Sequence, residues 1–253
     1  MDTMEERREA IVALVNERSS ITFAEIKKEL QNVSDMTIRT DLKALDKAKR
    51  IVRIHGGAKS VENVIGNDDL LGRRAVRNVE AKQIIARKAT SLVRPNTTVF
   101  IDSGSTTTEF ANIFPDVNCV IFTNSLSCAV ELCRLTNARV YVLGGLMNRN
   151  SLSAVGHAVL QEMEPVNFDA AFLGTTSFTY DLGFTCESAE DNAVKRAALS
   201  KAAQTVVLMD SSKIGRRGSF TMCGLDKVTD IVMDDNVPEE FRQECVKNHV
   251  SIY

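Results

Sequence analysis

Apolar residues fall at helical spacing through the first fifty positions. In "EERREAIVALVNE", residues 5–17, Ile11, Leu14 and Val15 form a stripe of period 3.6. In "SSITFAEIKKEL", Ile26 and Leu30 repeat at i, i+4, and Thr22 stands three positions before Glu25 in the capping-box arrangement that opens a helix. A third helix is predicted from the N-cap Ser34 through "SDMTIRTDLKALDKAKR", with Ile38, Leu42 and Leu45 on one face. Thr40, Lys43 and Lys47 then project from the opposite face, and Thr37 and Arg39 flank it. "IVRIHGG" reads as a strand and a Gly-Gly turn. Three helices and a small ribbon predict a winged helix-turn-helix over residues 1–58.

The pattern changes after residue 58. Residues 59–78 lose periodicity and read as a linker. Helical spacing returns at "VEAKQIIARKATSLV" and opens a second domain, 79–253. There, short apolar runs alternate with helical stretches. The runs are "TVFI", "CVIF", "RVYVL", "AAFL", "TVVLM" and "DIVM". Continuous apolar strands separated by helices predict a mostly parallel sheet covered on both faces. The strand ends share a chemistry: "SGST" follows the first, "TNS" the second, "GG" the third, "GTTS" the fourth and "DSSK" the fifth. Open α/β sheets bind ligands at that edge. Candidate ligand contacts are Asp102, Ser103, Gly104, Ser105, Thr106, Thr107, Asn124, Gly144, Gly145, Gly174, Asp210 and Lys213. The Ser-Gly-Ser-Thr turn also begins a helix, whose free N–H groups favour an anion.

Composition narrows the partners. The net charge of −2 over 253 residues gives no global basic signature. Arg39 to Lys59, however, holds seven Lys/Arg against two acids, so a nucleic-acid surface is local to the third helix and wing. Ser34, Thr37, Arg39, Thr40, Lys43, Lys47, Arg53, His55 and Lys59 are the candidate DNA contacts, with His55 meeting the backbone or packing at the turn. Arg grips guanine bidentately, and Thr touches a base edge or a thymine methyl. Six scattered cysteines without a Cys-x-x-Cys spacing, and three unpaired histidines, point to a reduced cytoplasmic chain without a metal or other cofactor. No apolar run of membrane-spanning length occurs.

At "SDMTIRTDLKALDKAKRIVRIHGGA" the chain resembles the DeoR family of bacterial regulators of sugar metabolism. Ser34, Thr37, Ile38, Arg39, Asp41, Leu42, Arg53, His55, Gly56, Gly57 and Ala58 carry the resemblance. Two positions depart from it: Lys49 stands where the family has a glycine, and Thr40 where it often has a second arginine. "DSGSTTTEFA", "TNS", "LGG", "FLGTTSF" and "DSSKIG" extend the resemblance through the second half. That half is similar in fold to ribose-5-phosphate isomerase and the CoA-transferases. The resemblance implies a repressor of a carbohydrate catabolic operon, a homo-oligomer (dimer or tetramer) on operator DNA, relieved by a phosphorylated sugar. It adds Lys195 to the effector contacts. A sugar-phosphate isomerase with an accessory DNA-binding domain is the alternative. Isomerisation needs a positioned base, usually a carboxylate, and the loop where those isomerases carry acids reads Thr175, Thr176, Ser177 here. The expectation is therefore a sensor and not an enzyme.

Overall fold

A computed structural model describes residues 4–18, 20–30, 33–48, 50–54, 56–60 and 70–253. The chain divides into Met1–Asp68 and Asp69–Tyr253. The first unit runs α1 (Met4–Arg18), β1 (Ser20–Thr22), α2 (Phe23–Glu29), α3 (Asp35–Lys47), β2 (Ile51–Ile54) and β3 (Gly57–Ser60). Thr22 and Glu25 close the expected capping box: Glu25 N donates to Thr22 Oγ1 at 3.3 Å and Thr22 N to Glu25 Oε2 at 2.8 Å. Ser34 Oγ accepts from Thr37 N at 3.1 Å and starts α3. That helix stops at Lys47, and the C-cap Ala48 keeps backbone angles near the helical region; Lys49, the position where a left-handed cap would fall, lies outside the described residues. The apolar stripes meet in one core of Ile11, Val15, Ile26, Leu30, Ile38, Leu42 and Leu45, closed by Ile21 and Ile51.

The wing has one strand more than the sequence pattern suggests. β1, only three residues long, pairs antiparallel with β3, which pairs with β2. A side chain at Gly57 would collide with the Ile21 carbonyl, so glycine is what lets these strands approach. Asp41 of α3 is buried and accepts from Arg7 Nε at 2.6 Å and Arg8 Nε at 2.8 Å, which clamps α1 to α3.

The second unit contains α4 (Leu71–Ala75), α5 (Val79–Thr90), β4 (Thr98–Ile101), α6 (Ser105–Asn112), β5 (Val120–Thr123), α7 (Leu126–Leu132), β6 (Arg139–Val142), the hairpin β7 (Leu146–Asn148) and β8 (Ser153–Val155), and α8 (His157–Met163). It continues with β9 (Phe168–Gly174), β10 (Ser177–Thr179), β11 (Gly183–Cys186), α9 (Ala189–Lys201), β12 (Ala202–Leu208), β13 (Phe220–Cys223), β14 (Asp230–Val232), α10 (Glu239–Lys247) and β15 (Ser251–Ile252). Seven strands form one parallel sheet in the order β15-β14-β12-β9-β4-β5-β6. The six apolar runs supply six of them. The seventh, β15, is two residues long.

Successive side chains alternate between two cores, as a pleated strand requires. Phe100, Ala171, Leu173, Val207 and Ile231 pack with Val159, Met163, Val194, Ala198, Phe241 and Cys245 of α8, α9 and α10. Val99, Ile101, Phe172, Val206 and Leu208 pack with Ile85, Ala89, Phe110, Cys128 and Leu132 of α5, α6 and α7. From β4 the chain steps outward to β5 and β6. It then returns to the other side of β4 at β9 and continues to β12, β14 and β15. The sheet therefore has a topological switch point between β4 and β9. A three-stranded antiparallel sheet, β10-β11-β13, follows the end of β9. Of the stretch 59–78 read as a linker, the described part holds the end of β3 and all of α4; residues 61–69 lie outside the described residues.

Candidate effector site and nucleic-acid interface

The switch point holds a buried ion pair. Beyond β4, Asp102 N still donates to Phe172 O of β9 at 3.0 Å. Its carboxylate Oδ2 accepts from Gly174 N at 2.9 Å. Lys195, from α9, donates from Nζ to that same Oδ2 and to Gly174 O at 3.0 Å. Asp102 is 1% exposed and Lys195 5%. Lys195 therefore joins the two strands that the chain order separates. Burial pushes the Asp102 carboxyl up, with the Lys195 ammonium and the Gly174 amide opposing it. For Lys195, burial works against the charge, but Asp102, together with Cys186 and Asp191, holds the pKa above the ordinary lysine value. The ammonium is thus charged in the core of the edge.

Helix α9 is aimed there by its cap. Ser188 Oγ accepts from Asp191 N at 3.1 Å. Asp191 and Lys195 are one turn apart and share a face. Asp191 accepts from Ser153 Oγ at 2.9 Å, Ser151 Oγ at 3.4 Å and Asn148 Nδ2 at 3.0 Å, which ties α9 to the β7–β8 hairpin.

The Ser-Gly-Ser-Thr turn lies beside this pair. Gly104 has φ +151° as the residue before α6, a conformation that side chains resist. Ser103, Ser105 and Thr106 make no side-chain hydrogen bond to the described residues; Ser105 and Thr106 are half-buried, and Ser103 is buried. Thr107 differs. Its Oγ1 is fully buried and donates to Gly104 O at 3.0 Å, holding the turn instead of facing outward. Asn124, at the end of β5, is buried; Nδ2 donates to Ala154 O at 3.0 Å while Oδ1 has no hydrogen-bond partner among the described residues.

The next strand end is cationic. Asp210 Oδ1 accepts from Ser212 N at 3.2 Å and from Asn78 Nδ2 at 3.1 Å. Burial pushes the pKa of Lys213 down; Asp210 opposes this, and the charges of Arg216, Arg74 and Arg77 add to the depression. Lys82 of α5 donates from Nζ to the carbonyls of Arg74 and Arg77, capping the segment that ends α4. Its pKa is lowered to about 8, first by burial, against Asp210 and with the help of Lys213, Arg74 and Arg77. Arg74, Arg77, Lys82 and Arg216 carry no motif that marks them in the sequence. The predicted Gly144 and Gly145 stand apart from this group. Gly144 N donates to Glu162 Oε2 at 3.1 Å, and a side chain at Gly145 would strike Val155 and Val159, so close packing requires glycine at Gly145.

In the first unit, α3 buries Ile38, Leu42 and Leu45. Thr40, Lys43 and Lys47 are exposed on the far side, with Arg53 exposed on β2. Ser34 and Thr37 are committed to the cap, their hydroxyls 2.8 Å apart. The Arg39 guanidinium lies 4.5 Å from the Phe23 ring centroid, a cation–π contact that fixes its direction. His55 and the Lys59 side chain lie outside the described residues.

Residues 7–64 match the DeoR-like helix-turn-helix domain and residues 77–235 the DeoR C terminal sensor domain. The chain is 32% identical over 248 residues to the HTH-type transcriptional regulator GlpR of Haloferax volcanii, covering 98% of this chain and 96% of that one. It is 30% identical over 249 residues to the lactose phosphotransferase system repressor of Staphylococcus epidermidis, covering 98% of each. Among solved structures, ribose 5-phosphate isomerase A of Methanocaldococcus jannaschii overlaps 54% of this chain and 55% of its own, with 16% identity and a TM-score of 0.41. Two domains matched in order, and relatives alike from end to end, place the chain in the DeoR family of transcriptional regulators.

Proposed function

We propose that the protein is a sequence-specific repressor of a carbohydrate catabolic operon, relieved when a phosphorylated sugar binds the carboxyl edge of the parallel sheet. The observation that carries this reading is the Asp102–Lys195 ion pair at the switch point, followed in the chain by the half-buried hydroxyls of Ser105 and Thr106, with Lys213 on the same carboxyl edge beyond the neighbouring strand β12. A sugar hydroxyl suits the first group; a phosphate dianion suits the turn and the cationic rim. The relative that is a lactose phosphotransferase system repressor supports the sugar side of the reading. Asp102 is held by Lys195 and Gly174 N, and Asp210 Oδ1 by Ser212 N and Asn78. These engagements support a binding role over proton abstraction. The protein acts in the cytoplasm as a homo-oligomer, two heads reading adjacent half-sites. The sugar phosphate lowers operator affinity because it binds better to the arrangement that does not fit DNA.

Calorimetric titration of the full-length chain with hexoses, pentoses and their monophosphates tests the pocket. Two or three charge-assisted hydrogen bonds, each contributing about 1.5–3 kcal/mol, separate a phosphorylated sugar from its free form by orders of magnitude. Ser105→Asp puts a carboxylate in the turn and abolishes phosphate binding while operator binding survives. A free sugar that binds as tightly as its phosphate sinks the assignment.

A further inference from the structure

The exposed face of α3 carries one residue that its chemistry sets apart. Met36 lies on the side opposite Ile38, Leu42 and Leu45, in one row with Thr40, Lys43 and Lys47. It is 74% exposed, more than any other large hydrophobic among the described residues. A solitary exposed apolar side chain is ordinary on a protein surface. This one occupies the second position of the recognition helix, and the N-terminal residues of such a helix are the ones that meet base edges. Its neighbour one turn on, Thr40, donates its hydroxyl to Met36 O at 2.9 Å. That hydroxyl is committed to the helix. Arg39, held on Phe23, sits to the side of the row. The forward end of the row therefore offers a flexible thioether chain and no hydrogen-bond donor of its own.

The major groove presents one apolar group, the C5 methyl of thymine. An unbranched methionine adapts to such a group and gains burial from it. We propose that Met36 is a specificity-determining residue that reads a thymine methyl at a fixed position in each half-site. This rests on the reading of α3 as the DNA-recognition helix.

The experiment separates the two. The full-length wild type and the Met36→Ala variant each select binding sites from a randomised duplex pool. Each thymine of the wild-type consensus is then replaced, singly, by deoxyuridine, which deletes only the methyl, and affinities are read by fluorescence anisotropy. At one thymine per half-site the replacement weakens the wild type about fourfold, the value of one buried methyl. The Met36→Ala variant is indifferent there, and its selected sites no longer require thymine at that position. Equal losses for both proteins at every thymine, or identical selected motifs, overturn the assignment of Met36 while leaving α3 as the reader. Failure of the wild type to enrich any sequence overturns both.

Discussion

Replacing Lys195 by methionine keeps most of the side-chain volume and removes the only cation paired with Asp102 among the described residues. Asp102, 1% exposed, is left with the single Gly174 N–H at 2.9 Å. Breaking a buried pair from one side costs about 3–5 kcal/mol, because the other charge stays buried and uncompensated. For a domain of this size each kcal/mol lowers the melting temperature by about 2–4 °C. The sensor transition of Lys195→Met therefore drops by about 6–20 °C in calorimetry of the full-length chain. Two controls isolate the cause. Unpaired, the Asp102 carboxyl has a folded-state pKa raised above its unfolded value, so its protonated form favours folding. The deficit is then largest near neutral pH and shrinks as pH falls toward the ordinary carboxylate range of about 4. The double variant Asp102→Asn/Lys195→Met has no buried charge and recovers to within about 1–2 kcal/mol of wild type. A single variant that melts with the wild type, or a double variant no better than the single, refutes the claim that the pair is a buried charged unit.

Arg39→Ala weakens operator binding by about 1–3 kcal/mol and leaves effector binding unchanged, and Lys43→Ala lowers the slope of log affinity against log salt by about 1; gel shifts at several salt concentrations check both, and a flat wild-type slope removes the phosphate role. Lys82, with its pKa lowered to about 8, binds its proton less tightly folded than unfolded, so wild-type stability rises relative to Lys82→Met between about pH 8 and the ordinary lysine value near 10.4; parallel denaturation curves across that window contradict the burial of the ammonium. Asp41 is driven up by burial but held below the usual carboxylate range by hydrogen bonds from Arg7 and Arg8, so its contribution is present above about pH 4 and lost as pH falls through the lower folded value. Asp41→Asn costs the head about 1–3 kcal/mol near neutral pH and removes that acid-dependent loss, as urea titrations at two pH values would register.

Periodicity carried most of the fold. Ile38, Leu42 and Leu45 fall on one helix face, and runs such as "TVVLM" fit strands buried on both sides, as the two cores show. Short antiparallel strands escaped because Ser177–Thr179 and Gly183–Cys186 carry too few residues for an alternation to register, and their identity comes from each other across the hairpin. The candidate ligand edge was marked in the sequence where glycine, serine and aspartate followed a strand. It was illegible where a side chain acts from another part of the chain. Arg74 and Arg77 look like solvated charges until Lys82 draws their carbonyls into place beside Lys213. Thr107 and Gly145 show the converse, residues of binding type committed to the turn and to packing.

The seam between β4 and β9 also bears on how the molecule assembles. Asp102 and Gly174 are 72 positions apart, and Asp102 and Lys195 are 93 apart. Closing a chain segment of that length costs on the order of 4 kcal/mol in loop entropy, and nothing local repays it early. Strands β4, β5 and β6 can zip with their helices one after another; β9 must then find the far side of β4. Pairing of such long sequence separation is slow. Effector affinity should consequently be the last property to return on refolding, after helical content is complete. A bound effector touching both strands would act as a clasp on the slowest-forming join, protecting β4 and β9 from hydrogen exchange more than the outer strands β6 and β15.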